Sequence, residues 1–239
     1  MKIISVIPAA LTDDVPQKLL QNETGKPLIV HTIEASQKHF ETVVATDSSE
    51  IYNTVREYCV NVPVVLTGTC SSGTDRVRRA IHFLEQFTVQ PHFDVVINWQ
   101  ANVPEMDCKC LANAVKELTF FENDIITFAA NATPKDIASP DVVKIVKDHQ
   151  GHALYFSRSP IPHGAEHAYK HIGVYIFRRD ILASLDTLDD TMYPSEKLEQ
   201  LQWLEAGLRV VVYACPCPIT QVGISTPEQY RGFVERNAL

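Results

Sequence analysis

The sequence predicts an α/β protein: a mostly parallel sheet covered by helices on both faces, with a smaller, more antiparallel lobe. Three observations carry this. Short Val- and Ile-rich runs recur with little internal polarity, as strands buried on both faces require. Segments with helical spacing of apolar residues separate them, which is the crossover pattern of parallel strands. After residue 140 the rhythm changes, and two runs meet at Gln150-Gly151, a hairpin signal.

The elements follow in order. "KIISVI" (2–7) reads as a strand. "KPLIVHTIEASQKH" (26–39) is a helix with Leu28, His31, Thr32 and Ala35 on one face. "TVVATD" (42–47) is a strand, and "SEIYNTVREYC" (49–59) a helix with a Ser cap. "VPVVLT" (62–67) and "DVVINW" (94–99) are strands, and "DRVRRAIHFLEQF" (75–87) is the helix between them, with Thr74 as its cap. "CKCLANAVKELTFF" (108–121) is a helix and "DIITFAA" (124–130) a strand. The hairpin pairs "VVKIVKD" (142–148) with "HALYFSR" (152–158), and "HIGVYIFRR" (171–179) adds a strand. "SEKLEQLQWLEAG" (195–207) is a helix with Ser195 as N-cap and Gly207 at its end. "RVVVYAC" (209–215) is a strand, and "TPEQYRGFVERN" (226–237) closes the chain as a helix with Pro227 near its first position. One domain over 1–239, with the antiparallel lobe at about 132–195, is the expected organisation.

Composition excludes some functions. The chain has 239 residues, 45% hydrophobic, and a formal charge of −8. A nucleic-acid backbone as main partner would need a positive footprint, which this balance lacks. The longest apolar stretches fall well short of the ~20 residues of a membrane helix. "MKIISVIPAAL" has the outline of a signal peptide, but Ser5, Pro8, Asp13 and Asp14 fit a buried first strand better. Of the six cysteines, four form C-x-C pairs, Cys108/Cys110 and Cys215/Cys217. Zinc sites favour wider spacing, so reduced thiols in a cytoplasmic protein are expected.

Several stretches together resemble one family: "GKPLIVHTIEAS" (25–36), "VVATDSSEI" (43–51), "SSGTDRV" (71–77), "VVKIVKDHQGHALYFSRSPIPH" (142–163), "HIGVYIFRRDIL" (171–182) and "SEKLEQLQWLEAG" (195–207). They are similar to the 3-deoxy-D-manno-octulosonate (Kdo) cytidylyltransferases, or CMP-Kdo synthetases, over nearly the whole chain. The resemblance implies a nucleotidyltransferase-type, Rossmann-like fold whose smaller lobe binds sugar and forms a homodimer. It implies a reaction as well: Kdo and CTP give CMP-Kdo and pyrophosphate, ahead of lipopolysaccharide assembly. Attack on an α-phosphate needs cations, magnesium and arginine, to offset charge.

By the same resemblance, a sugar-acid pocket is expected from Gln100, Arg158, His171, Tyr175, Glu199 and Gln200. The fork of Arg158 suits a planar carboxylate, and His171 and Tyr175, four apart on a strand, face one side. Ser72, Gly73 and Thr74 are the expected cytosine-contacting loop. Read alone, Arg158, between an aromatic strand and a Pro-rich turn, fits a ligand role better than a surface salt bridge, while Tyr175 reads as core and Glu199 and Gln200 as a solvated helix face.

Two motifs depart from the family pattern. In the loop after the first strand, Ala10 replaces the first arginine, Val15 stands where the second is expected, and Gln17 replaces a glycine. Lys18 alone remains as a cation, and Asp13 and Asp14 lie where a triphosphate would. In "QANVP" (100–104), Asn102 and Val103 replace an Asp-Glu pair, and Ser225 replaces a second aspartate in "GISTPE" (223–228). Magnesium prefers anionic oxygens, so neither metal position is intact. The expected protein therefore binds a Kdo-like sugar acid, with the substitutions counting against CTP and with cytidylyl transfer weak or lost. It acts by binding or regulation, as a homodimer or with an active paralogue. The alternative is an active enzyme, using Mg2+ in a rearranged site to which Asp13 and Asp14 contribute.

Overall fold

In the computed structural model, the apolar runs fold as strands and the periodic segments as helices. Residues 1–11, 18–87, 92–120, 123–188, 192–215 and 223–237 are described. The chain divides into two units, Met1–Cys108 with Thr220–Leu239, and Lys109–Ile219.

The first unit contains β1 (Ile3–Ala9), a 3-10 turn (Lys18–Leu20), α1 (Leu28–Gln37), β2 (Glu41–Thr46), α2 (Ser49–Tyr58), β3 (Val64–Leu66), α3 (Gly73–Phe87), β4 (Val95–Trp99) and α8 (Pro227–Asn237). Its strand order is β3-β2-β1-β4, parallel throughout, with Val6 opposite both Val43 and Asn98. Every residue of β4 is buried, as the unbroken apolar run requires. The chain winds outward from β1 through β2 to β3, then returns to the other side of β1 as β4. That reversal opens a crevice beyond the C-terminal ends of β1 and β4, the usual ligand position in open α/β sheets.

The second unit is entered through α4 (Cys108–Phe120). It contains β5 (Ile125–Asn131), α5 (Pro134–Ala138), β6 (Lys144–Lys147), β7 (Ala153–Ser157), β8 (Tyr169–Arg178), α6 (Arg179–Ser184), a 3-10 turn (Leu185–Thr187), α7 (Glu199–Glu205) and β9 (Val210–Ala214). β5 is parallel to β9 and antiparallel to β8, while β6 pairs antiparallel with β7 and β8. The hairpin forms at Gln150-Gly151 as expected. Gly151 takes φ +94, and the Asp148 carboxylate accepts from the N–H groups of Gln150 and His152. Antiparallel pairing already begins at β5, upstream of residue 132. β5 is buried on both faces, so its run resembles that of a parallel strand.

Three expectations need correction. The cap of α3 is Ser72, whose hydroxyl accepts from Asp75 N at 3.1 Å; Thr74 lies inside the helix and is buried. Ser195 caps nothing. Residues 194–197 form turns, Lys197 takes φ +51, and α7 starts only at Glu199, with Gly207 at φ +76 just past its end. The cysteines are not all reduced thiols: Cys110 at the start of α4 and Cys215 after β9 form a disulfide across 105 residues, their Cα atoms 6.3 Å apart. Cys59, Cys70 and Cys108 are free. Spacing within a C-x-C pair carries no information about a partner that only the fold supplies. No helix among the described residues is long and apolar enough to cross a membrane.

Candidate functional site

The loop after β4 is held from three sides. Trp99, fully buried, donates its indole N–H to Val103 O at 2.8 Å. Val103 N closes a turn onto Gln100 O at 3.0 Å, and the Thr32 hydroxyl of α1 donates to Ala101 O at 2.7 Å. Asn102 is thereby fixed near the tip, facing the chain before α8: Ile224 N donates to Asn102 O at 2.8 Å.

The two positions expected of metal-binding aspartates do come together. Asn102 Nδ2 donates to Ser225 Oγ at 3.3 Å and to Ile224 O at 3.4 Å. A backbone carbonyl can only accept, so the amide nitrogen must face Ile224 and the amide oxygen lies on the other side. Lys18 Nζ donates to Ser225 O. A divalent cation needs oxygen lone pairs, preferably anionic, and meets instead an N–H donor, a neutral hydroxyl and an ammonium. These residues do not fit magnesium. No group of three His, Cys, Asp or Glu able to hold a metal occurs among the described residues. Asp13 and Asp14, the expected relocated ligands, and Val15 and Gln17 lie outside the described residues. Ala10 is described and supplies no charge.

The start of α3 lies beyond the same sheet. Ser72 is committed to its cap, while Thr74 Oγ1 accepts from Asn98 Nδ2 of β4 at 3.3 Å. Asn98 Oδ1 is buried with no hydrogen-bond partner among the described residues. Gly73 is ordinary: a Cβ there would meet only Pro8 Cγ at 3.8 Å. Arg76, 5% exposed, ties α3 to the ends of β2 and β3, donating to Asp47 Oδ2 at 2.8 Å, Thr67 Oγ1 at 2.8 Å and Gly68 O at 3.3 Å. Asp75 accepts from Ser71 N, Arg78 and Arg79. These hydrogen bonds hold its carboxyl below the usual carboxylate range, although burial acts the other way.

In the second unit, a bulge in β8 places the sugar-acid candidates. Thr127 stands opposite Tyr175 and Phe128 opposite Ile172, so Gly173 and Val174 are extra. The His171 and Tyr175 rings lie 5.3 Å apart, the Tyr175 and Trp203 rings 5.0 Å. Thr127 Oγ1 donates to Val174 O at 3.1 Å and so has no second proton for His171 Nε2, 2.8 Å away. His171 therefore donates from Nε2 and keeps Nδ1 as an acceptor. Desolvation pushes its pKa down to about 3, so the ring is neutral at physiological pH. Gln200 Nε2 donates to the Tyr175 hydroxyl, and Gln200 Oε1 is buried with no hydrogen-bond partner among the described residues. Burial, and secondarily the charge of Glu199, hold the Tyr175 hydroxyl well above its ordinary pKa.

Arg158 follows β7 on an organised turn. Glu196 accepts from the Ser157 hydroxyl and from Arg158 N (2.9 Å). Buried Lys144 spreads its three N–H groups over the carbonyls of Ser139, Val142 and Arg158. The exposed Arg158 guanidinium donates to Pro140 O at 3.2 Å and has no carboxylate partner among the described residues. Gln200 is buried, so its solvated-face reading fails.

Within the second unit the structure groups His171, Tyr175 and Gln200 through direct contacts. Arg158 stands on its own turn, Glu199 is half-buried, and Gln100 belongs to the first unit. Arg76, Asn98, Thr127 and Glu196 were missed. The residues around Ser157-Arg158 and Arg76 give no hint of the distant carboxylates, Glu196 and Asp47, that fix them.

Comparisons with known proteins agree with this architecture. The cytidylyltransferase family matches residues 13–214. A 3-deoxy-manno-octulosonate cytidylyltransferase from Chloroherpeton thalassium is 34% identical over 226 residues, 88% of each chain. Its namesake from Brucella suis is 36% identical over 222 residues, 89% of this chain and 87% of its own. A solved CMP:2-keto-3-deoxy-manno-octonic acid synthetase complexed with CTP matches with a TM-score of 0.85 at 28% identity, covering 99% of both chains. A 4-diphosphocytidyl-2C-methyl-D-erythritol synthase from Anaerococcus prevotii shares the fold, with a TM-score of 0.60 at 13% identity over 98% of this chain and 99% of its own.

Proposed function

The chain belongs to the cytidylyltransferase family, among the Kdo cytidylyltransferases, and from that membership we propose a CMP-Kdo synthetase homologue that keeps a 3-deoxy-sugar-acid pocket but has weak or no cytidylyl transfer from CTP. The Asn102 amide carries this reading: its nitrogen, not an anionic oxygen, meets Ser225. Transfer to an α-phosphate needs a divalent cation to offset charge on the phosphates, and these residues do not fit one.

Arg158 takes the sugar carboxylate through its fork. His171 Nδ1 and Gln200 Oε1 accept from sugar hydroxyls, and Glu199 completes the set within the second unit. Ser72, Gly73 and Thr74 are the nucleotide-side residues, with Lys18. The protein then works as a binding or regulatory partner in the cytoplasm, as a homodimer or paired with an active paralogue. Calorimetry with Kdo tests the pocket: saturable binding is expected, lost in Arg158→Ala. No Kdo binding by folded protein would sink the reading.

The identity with enzymes over nearly the whole chain favours a second reading, an active cytidylyltransferase with a rearranged metal site. Asp13→Ala with Asp14→Ala would then abolish turnover.

A further inference from the structure

We propose that the first unit carries a separate ligand site, a cleft between α1 and α8 that takes a zwitterionic α-amino acid with an apolar side chain. It stands apart from the sugar-acid reading and shares no residue with the sets assigned above.

The cleft measures about 440 Å³, a volume suited to a small molecule, and lies wholly within the first unit, between α1, the Pro104-Glu105 loop and α8. Helical spacing explains its polar side. Counted from His31, Glu34, Ala35 and Lys38 stand three, four and seven residues on, so all four share one face of α1. The walls are braced at both ends of α8. The Tyr230 hydroxyl donates to Glu23 Oε2. Arg236 donates to both oxygens of Glu105, at 3.2 and 2.7 Å, and Asn237 adds a bond of 3.3 Å. Between these ends, Phe233 meets the His31 ring edge-on, with centroids 5.0 Å apart. A cleft held in this way needs little ordering when a ligand enters.

His31 is a wall and not a charge. Thr24 Oγ1 donates to Lys26 O at 3.1 Å, so it accepts from His31 Nε2, 2.7 Å away. Burial, and secondarily the charge of Lys26, hold the ring below its ordinary pKa. Ala35, Pro104 and Phe233 complete the apolar side.

The ionic groups are paired in an unusual way. Glu34 and Lys38, four apart on a helix, are placed to bond each other. Glu34 instead gives Oε2 to Lys26, in the turn before α1. Lys38 then has no carboxylate partner, and Glu34 Oε1 no hydrogen-bond partner, among the described residues. A carboxylate oxygen and an ammonium one helical turn apart match the two charged ends of an α-amino acid, its ammonium on Glu34 and its carboxylate on Lys38. A ligand of one sign would satisfy one group and face its opposite.

Calorimetry with L-phenylalanine tests this, beside phenethylamine, which lacks the carboxylate, and 3-phenylpropionate, which lacks the ammonium. Phenylalanine should bind saturably, and each analogue about fivefold more weakly, as partly exposed ion pairs allow. Lys38→Met should weaken phenylalanine by about the same factor and leave phenethylamine unchanged, because the variant and the analogue remove the same bond. Circular dichroism checks the fold. No saturable phenylalanine binding, an analogue that binds as tightly, or equal phenylalanine affinity in Lys38→Met would overturn the proposal. Kdo affinity, measured on the same samples, should not change in Lys38→Met, so failure here leaves the sugar-acid reading standing.

Discussion

Replacing Tyr175 by Phe probes the buried pair on which the sugar-acid pocket is built. Tyr175 is 1% exposed and Gln200 5%. The ring stays in contact with Trp203 and His171, so Tyr175→Phe removes only the hydroxyl. Gln200 Nε2 then loses its acceptor and joins Oε1 as a buried group without a partner among the described residues. One newly orphaned polar group costs about 1–3 kcal/mol. For a chain of this size about 2 kcal/mol lowers the melting temperature by about 4–8 °C. Adding Gln200→Leu removes the whole amide and with it both unpartnered atoms, so the double variant should melt at or above the parent. Its Kdo affinity should nevertheless fall about tenfold or more, because Oε1 is kept unpaired for the ligand. Thermal melts followed by circular dichroism, with calorimetry on the same samples, read both effects. A double variant that melts below Tyr175→Phe, or that binds Kdo like the parent, would refute the reasoning.

Three further outcomes follow from the geometry. Glu196→Ala removes the acceptor for Ser157 and Arg158 N and should weaken Kdo binding about tenfold in calorimetry, with the Arg158 side chain untouched. His171 is held at a pKa of about 3 against about 6.5 in the unfolded chain. The unfolded chain therefore protonates first, and the contribution of neutral His171 to stability is full above about pH 6.5 and lost as pH falls toward 3; melts across that window should show a smaller acid loss in His171→Gln. Reducing the Cys110–Cys215 disulfide, which closes a loop of 105 residues, should lower stability by up to about 4–5 kcal/mol in the chain-entropy account, read as a lower melting temperature in a phosphine reductant.

Much of the fold was legible because the chain states it locally. The Val-Ile runs fixed β1, β2, β4 and β9, and Gln150-Gly151 fixed the hairpin. β5 was harder, since a strand buried between one parallel and one antiparallel neighbour carries no sign of direction in its own residues. Ser72 rather than Thr74 caps α3, because the helix starts at Gly73, and caps are decided within one or two residues. Gln200 looked solvated because it is polar and follows Glu199 on a helix; its burial comes from a partner far along the chain, the Tyr175 hydroxyl. The Cys110–Cys215 bond and the Glu196 anchor of Arg158 join residues far apart in the chain, beyond the reach of spacing arguments.

The account turns on whether Asn102 and Ser225 can still support chemistry. Pyrophosphate release from CTP and Kdo, with magnesium or manganese and beside an active Kdo cytidylyltransferase, measures that directly. Release at the level of the no-sugar blank, from folded protein that still binds Kdo, is the predicted result. Release well above that blank would contradict it and turn attention to the residues that replaced the two aspartates.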